Sequence, residues 1–148
     1  MRFLIQRVSS ASVLIDDKEK RTIWPWLLVS VGMSRDDYVS YPEKIEKFVR
    51  KIATLKIFED DNGKINASLQ DKSWEILLIS NFTLYGRNKK GNQIDFSLSA
   101  KFSEAKEMYD YLVNKLEQAK IPFQQGTFWA YMKVSSVVDG PVNVVLEM

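Results

Sequence analysis

Glu75-Ile76-Leu77-Leu78-Ile79-Ser80-Asn81-Phe82 is the stretch on which the fold turns. An unbroken apolar run of this length, bounded by polar residues, is the pattern of a strand covered on both faces. It predicts a central strand over 75–82. Its far end is polar: Ser80, Asn81 and Thr83 bring hydroxyls and an amide to the edge of the apolar run. Continued alternation would put Asn81 and Thr83 on one face and Ser80 and Phe82 on the other.

Working outward, Arg2 to Val8 and Ser10 to Asp16 are rich in β-branched and apolar residues, and Asp16-Asp17-Lys18-Glu19-Lys20 is a polar turn. A short strand, Arg21 to Trp24, stops at Pro25, and an apolar strand follows from Trp26 to Val31. This succession suggests an antiparallel meander. Ser40-Tyr41-Pro42-Glu43 has the form of a capping box. Apolar residues then recur at Ile45, Phe48, Val49, Ile52 and Leu55, the spacing of an amphipathic helix. Lys56 to Glu59 reads as a strand, and Asp61-Asn62-Gly63-Lys64 as a hairpin turn. Gly86 to Ala100 is polar and is the longest candidate loop. A second helix is expected over Ser103 to Ala119, with Ala105, Met108, Tyr109, Leu112 and Leu116 on its apolar face. Strands near Phe123 to Phe128, Tyr131 to Val138 and Asn143 to Glu147 close the chain. The reading is an α+β fold in one domain, residues 1–148: an antiparallel or mixed β-sheet, curled toward a barrel, with two covering helices.

Composition narrows the chemistry. The chain has 148 residues, a net charge of +2 and neither cysteine nor histidine. Disulfides, thiolate nucleophiles and Ser-His or Cys-His pairs are excluded, and a hydrolase built from it lacks the usual base near neutral pH. No cluster of metal ligands is visible, so neither metal nor cofactor is expected. Phe3-Leu4-Ile5 is too short for a signal peptide, and no apolar run approaches the length of a membrane span, so a cytoplasmic protein is expected.

Two islands remain as candidate sites: Ser80-Asn81-Phe82-Thr83-Leu84 and Asp139-Gly140-Pro141-Val142. Taken alone, the first could merely cap the end of a strand and the second could be a hairpin turn. Together they resemble the two signature motifs of the D-aminoacyl-tRNA deacylases, Ser-Gln-Phe-Thr-Leu and Asn-x-Gly-Pro-x-Thr. Weaker matches follow in the right order: Ile5-Gln6-Arg7-Val8, Ile57-Phe58-Glu59-Asp60, Lys90-Gly91 with Asp95-Phe96, and Ala130-Tyr131-Met132. The likeness runs almost the full length.

The resemblance implies hydrolysis of the ester joining a D-amino acid, or glycine, to tRNA, as proofreading in translation. It implies a homodimer with active sites at the interface. In that picture Gly140-Pro141 is cis and reaches the partner's pocket, its carbonyls excluding an L side chain, and Arg7 helps hold the segment across the interface. Thr83 and Phe82, with Ser80, Asn81 and nearby backbone N–H groups, surround the ester, while Phe96, Tyr131 and Met132 help bind substrate. The tRNA enters by its single-stranded CCA end, with Arg87, Lys89 and Lys90 as candidate phosphate contacts. Thr83 as a covalent nucleophile and direct attack by water both stay open. Water is preferred because a threonine without a base is a weak nucleophile, and the family picture adds the substrate's 2′-hydroxyl as a catalytic group.

The departures cluster at the site. Asn81 replaces glutamine, which moves the amide by about 1.5 Å. Val138 and Asn143 replace asparagine and threonine around Gly140-Pro141, Trp129 stands where many relatives have glycine, and Ile94 replaces a proline. The alternative reading is therefore a paralogue that binds tRNA without hydrolysis or with relaxed chirality.

Overall fold

The computed structural model describes residues 1–24, 26–72, 75–88 and 91–148. Its main sheet is built on β1 (Arg2–Ile15). One edge of β1 pairs antiparallel along its length with β10 (Met132–Glu147). The other edge is shared: residues 2–8 pair with β3 (Trp26–Gly32), and residues 11–15 with β2 (Glu19–Ile23). Both β2 and β3 thus lie against β1, where a meander would have paired them with each other.

Beyond β3 the pairing turns parallel, first to β6 (Glu75–Ser80) and then to β9 (Phe123–Gln125), in the order β10-β1-β3-β6-β9. Parallel neighbours need crossovers. One carries α1 (Tyr41–Thr54), the hairpin of β4 (Phe58–Glu59) and β5 (Ile65–Ala67), and the short α2 (Leu69–Lys72). The other carries α3 (Phe102–Gln118). The two long helices match the amphipathic patterns. The one-turn α2 has no periodicity to betray it. Ahead of α3, within the second crossover, a small hairpin, β7 (Arg87–Asn88) with β8 (Ile94–Asp95), gives the long polar loop some structure.

The sheet curls until β2 nears β9, where Arg21 Nη1 donates to the Gln125 carbonyl. Curling makes two cores. Leu27, Val29, Ile76 and Leu78 face α1 and α3, joined by Phe3, Phe48, Ile52, Met108 and Leu112. Leu28, Leu77 and Ile79 face inward with Val8, Val13 and Ile23. Alternate residues of β3 and β6 therefore enter different cores, which is why both strands read as unbroken apolar runs. The Phe3 and Phe48 rings stack at 3.6 Å and bind β1 to α1.

Two local expectations change. Ser40 precedes α1, but its side chain makes no capping hydrogen bond. Ser34 and Asp37 make the analogous contact one turn earlier, with the Ser34 N–H and hydroxyl both donating to Asp37 Oδ2 at 2.8 Å. The closing segments near 131–138 and 143–147 are also one strand. Gln6 pairs with Asn143 and Val8 with Val138, so the four residues 139–142 are extruded opposite Arg7 alone. Asp139-Gly140-Pro141-Val142 is a bulge in β10, not a hairpin turn.

Candidate active site

β6 stops at Ser80, one residue before the alternation would have mattered. Asn81 caps a 3-10 turn, Phe82–Tyr85. Its Oδ1 accepts from the Thr83 N–H at 3.1 Å and from Thr83 Oγ1 at 2.5 Å. Asn81 and Thr83 thus meet through a turn, the short amide folding back as asparagine does at helix starts. The turn is anchored by Ser99 Oγ donating to the Phe82 carbonyl at 3.0 Å and Arg2 Nη1 to the Leu84 carbonyl at 3.0 Å. It packs so closely on β3 that a Cβ at Gly32 would lie 2.9 Å from Leu84 Cβ and 3.1 Å from the Asn81 carbonyl oxygen.

Beneath the turn sits a charged knot. Asp37 Oδ1 accepts from the Met1 α-ammonium at 2.6 Å and Lys44 Nζ at 2.7 Å, and Oδ2 accepts from the Tyr85 hydroxyl at 3.3 Å. Burial alone would raise the Asp37 pKa. Hydrogen bonds from Lys44, the α-ammonium and Ser34 outweigh it and hold the carboxyl at about 2. Burial, with the Asp37 charge, pushes the Tyr85 phenol up to about 12. The Arg2 guanidinium lies 4.7 Å from the Tyr85 ring centroid. Sequence reading missed this support, although Ser34-x-x-Asp37 has the spacing of a cap.

Above the turn opens a cavity of about 530 Å³. Ser80, Asn81, Phe82, Thr83, Tyr131 and Met132 line it, together with Phe128 and Trp129. Among the described residues that line it there is neither a carboxylate nor a basic side chain. Phe96 reaches the rim through the Phe82 ring, at 5.2 Å between centroids. Six of the expected site residues are therefore brought to one cavity, with Phe96 beside them.

Gly140, Pro141 and Arg7 lie elsewhere. Six strand positions separate Val134 on the cavity wall from Gly140, roughly 20 Å along β10. The Gly140-Pro141 bond is cis, as the resemblance implied, and both residues are exposed. The segment is held within its own chain. Arg7, only 7% exposed, donates from Nε to the Asp139 carbonyl at 3.3 Å and forms an ion pair with Asp139 Oδ2 at 3.1 Å. Its Nη1 donates to the Ile57 carbonyl at 3.2 Å, and Nη2 stands 3.7 Å from Glu59 Oε1. Gly140 has φ +113, and a Cβ there would fall 2.8 Å from Val142 Cγ2 and 2.9 Å from Arg7 Nη2. Only glycine suits both constraints.

The departures now have surroundings. Asn143 accepts from Gln6 Nε2 at 2.9 Å across the β1–β10 pair, and Val138 pairs with Val8. Ile94 is half exposed in β8. Trp129 has φ +67, in the left-handed region where glycine is at ease. Of the candidate phosphate contacts, Arg87 Nη2 donates to Asp95 Oδ2 at 3.0 Å and Ser97 Oγ at 3.3 Å, while Lys89 and Lys90 lie outside the described residues. Among the described residues no group of three or more carboxylates, histidines or cysteines could hold a metal ion, and no helix is long and apolar enough to cross a membrane.

This geometry has relatives. The D-aminoacyl-tRNA deacylase of Finegoldia magna is 42% identical over 147 residues, covering 99% of this chain and 97% of its own. That of Petrotoga mobilis is 45% identical over 148 residues, with the same shares covered. The solved structure of a c-Myc DNA unwinding element binding protein superposes with a TM-score of 0.88 at 36% identity, covering 100% of this chain and 99% of that one. A family model for D-Tyr-tRNA(Tyr) deacylase matches residues 4–147, and the chain belongs to that family.

Proposed function

We propose that this protein hydrolyses the ester of D-aminoacyl-tRNA, and of glycyl-tRNA, releasing free amino acid and tRNA. The observation that carries the mechanism is the Asn81–Thr83 lock at the floor of an uncharged cavity. The Thr83 hydroxyl gives its proton to an amide oxygen. An amide oxygen is far too weak a base to remove that proton, so Thr83 is not activated for attack. What Thr83 offers instead is an oriented pair of acceptor lone pairs, suited to holding a water or a substrate hydroxyl beside the ester. Attack by water, with the substrate's 2′-hydroxyl and backbone N–H groups near Phe82 stabilising developing charge, is the route that fits these groups. Ser80 and Asn81 fix the turn, and Tyr131, Met132 and Phe96 contact the bound aminoacyl end.

Chiral choice belongs to Gly140-Pro141, with Arg7 as its clamp. Since those residues lie far from the cavity of their own chain, the working unit is a homodimer in which each bulge enters the other's cavity. Two features support that reading: β10 ends the strand order, with no other described strand paired along its outer edge, and Val134, Val137 and Val145 are 41%, 59% and 62% exposed. The whole chain, as one domain, is the protomer, and it works in the cytoplasm where aminoacyl-tRNA is made. A tRNA-binding paralogue without hydrolysis is not favoured.

The test is deacylation of D-Tyr-tRNA, L-Tyr-tRNA and Gly-tRNA by the purified protein in a chelating buffer. Cleavage of the D and glycyl esters with the L ester spared is the expected result. Release of all three at the buffer rate would overturn the proposal.

A further inference from the structure

The peptide unit that joins Phe82 to Thr83 is held at both ends. Its N–H donates to Asn81 Oδ1 at 3.1 Å, and its carbonyl accepts from Ser99 Oγ at 3.0 Å. A peptide unit is a rigid plane, so the two bonds act on one body from opposite sides. The tilt of that plane sets the backbone angle at Thr83, and with it the direction in which the hydroxyl leaves the chain. Asn81 alone cannot fix the tilt. Its amide turns about its own side-chain torsions, and the Thr83 N–H and hydroxyl can follow with both bonds intact. A second bond, from a point outside the turn, removes that freedom.

Ser99 is such a point. It lies after the β7–β8 hairpin, in a segment laid against the residues that leave β3. Ser34 and Ser99 form an antiparallel bridge. The Arg35 N–H donates to the Leu98 carbonyl at 3.1 Å, and the Ala100 N–H to the Met33 carbonyl at 2.9 Å. The Ser99 N–H itself donates to the Phe96 carbonyl at 2.9 Å. Its backbone is therefore tied on both sides, to a buried Met33 and to the Ser34 that belongs to the Asp37 knot. The side chain stays off the cavity: Ala100 lines it and Ser99 does not. Whatever Ser99 does for the reaction, it does through the turn.

We propose that Ser99 is a positioning residue for ester hydrolysis, its hydroxyl aiming the Phe82–Thr83 peptide and, through it, the Thr83 hydroxyl. The proposal rests on the hydrolytic reading of the same cavity. It differs from a merely structural bond in where its loss is felt. One partly exposed hydrogen bond adds little to the stability of a 148-residue chain. A group at the reacting centre displaced by about 1 Å can cost on the order of a hundredfold in rate. Loss of the Ser99 hydroxyl should therefore register in turnover while the fold and the binding of substrate stand.

Two measurements test it. In deacylation of D-Tyr-tRNA, Ser99→Ala should lower kcat about tenfold with KM within about twofold, and should melt no more than about 4 °C below the parent. Ser99→Thr, which keeps the hydroxyl, should recover most of the rate. Combined with Asn81→Ala, the Ser99→Ala loss should fall short of the product of the two single losses, because a plane released at one end leaves the other bond little to aim. An unchanged kcat in Ser99→Ala, a loss that Ser99→Thr does not restore, or a double loss equal to the product would each overturn the proposal. The second measurement needs no turnover, and so separates this proposal from the hydrolytic one. Amide hydrogen exchange, read by NMR, should quicken at Thr83 by about tenfold or more in Ser99→Ala, with the Leu77 and Leu78 amides of β6 unchanged. Thr83 exchange equal to the parent's would overturn the proposal. So would quickening shared by β6, which would make Ser99 a support of the fold at large.

Discussion

The two islands are built in opposite ways. Asn81–Thr83 is held by its own short-range chemistry, one amide oxygen taking two donors from the residue two positions on. Asp139–Val142 is held from far away, by a buried arginine 132 positions earlier in the chain. A locally built motif fails locally: its geometry slips while the fold stands. A motif built at long range is tied to the core and fails together with it. Damage to the first should therefore appear in rate, and damage to the second in stability and selectivity together.

The comparison breaks first where the local island leans on something remote. Tyr85 closes the 3-10 turn and donates to Asp37, which also neutralises Lys44 and the Met1 ammonium. Asp37→Ala leaves two cations facing an emptied site and should cost about 3–5 kcal/mol in urea denaturation. Acid should act in the same direction. The folded carboxyl titrates at about 2, below its ordinary 3.8, so its contribution is complete above about pH 4 and fades as pH falls from 4 toward 2. The parent should lose about 2–3 kcal/mol more than Asp37→Asn over that window. Parallel stability curves for the two would remove Asp37 from the account.

Arg7→Met comes next. Its acceptors include the buried-side carbonyl of Ile57, whereas Glu59 and Asp139 are more than half exposed and regain water. A loss of about 2 kcal/mol is expected, smaller than for a fully buried pair. The preference for D over L esters should fall at least about tenfold, as the clamp on the bulge opens. A destabilised variant that kept full discrimination would show that the bulge is rigid without Arg7. Gly140→Ala sharpens the same point at about 1–2 kcal/mol, since φ +113 and the 2.8 Å approach to Val142 both resist a methyl group. Its reading is again the ratio of D to L cleavage.

What could be read from the sequence follows the same division. The periodicity of α1 and α3, the strand core of β6 and the Asn-Gly hairpin depend on neighbouring residues, and their patterns were plain. Family resemblance supplied what no local pattern could: that two islands far apart belong to one function. The parallel pairing of β3 with β6 was not legible, because an apolar run shows burial on both faces but not the direction of its neighbour. Nor was the end of β6, where the strand was carried two residues too far and the pull of Asn81 toward its own backbone was overlooked. Arg7 was expected to bridge subunits, and its hold on its own chain is visible only once the register of β1 with β10 places it opposite the bulge. Phe102 and Phe128 went unmarked because the first opens α3 ahead of its apolar repeat and the second lies beyond the end of β9.

Asn81 gives the smallest effect on stability and the most pointed one on rate. Removing its side chain in Asn81→Ala deletes a cap on a turn that is otherwise held by Ser99 and Arg2, so about 1 kcal/mol is expected. The Thr83 hydroxyl then rotates freely, and the lone pairs it presented to the cavity lose their aim. A misdirected hydrogen bond at the reacting centre lowers kcat by about 10- to 100-fold, with KM nearly unchanged because the aromatic rim is untouched. Asn81→Gln separates reach from chemistry. The longer amide keeps the same oxygen but carries it about 1.5 Å farther, beyond the fold-back that fixes Thr83 here. If kcat survives in Asn81→Gln and fails in Asn81→Ala, the amide acts on the substrate side of the cavity and the lock on Thr83 is incidental. If both fail equally, the short amide and the Thr83 hydroxyl work as one unit, and the local turn is what aims the hydroxyl.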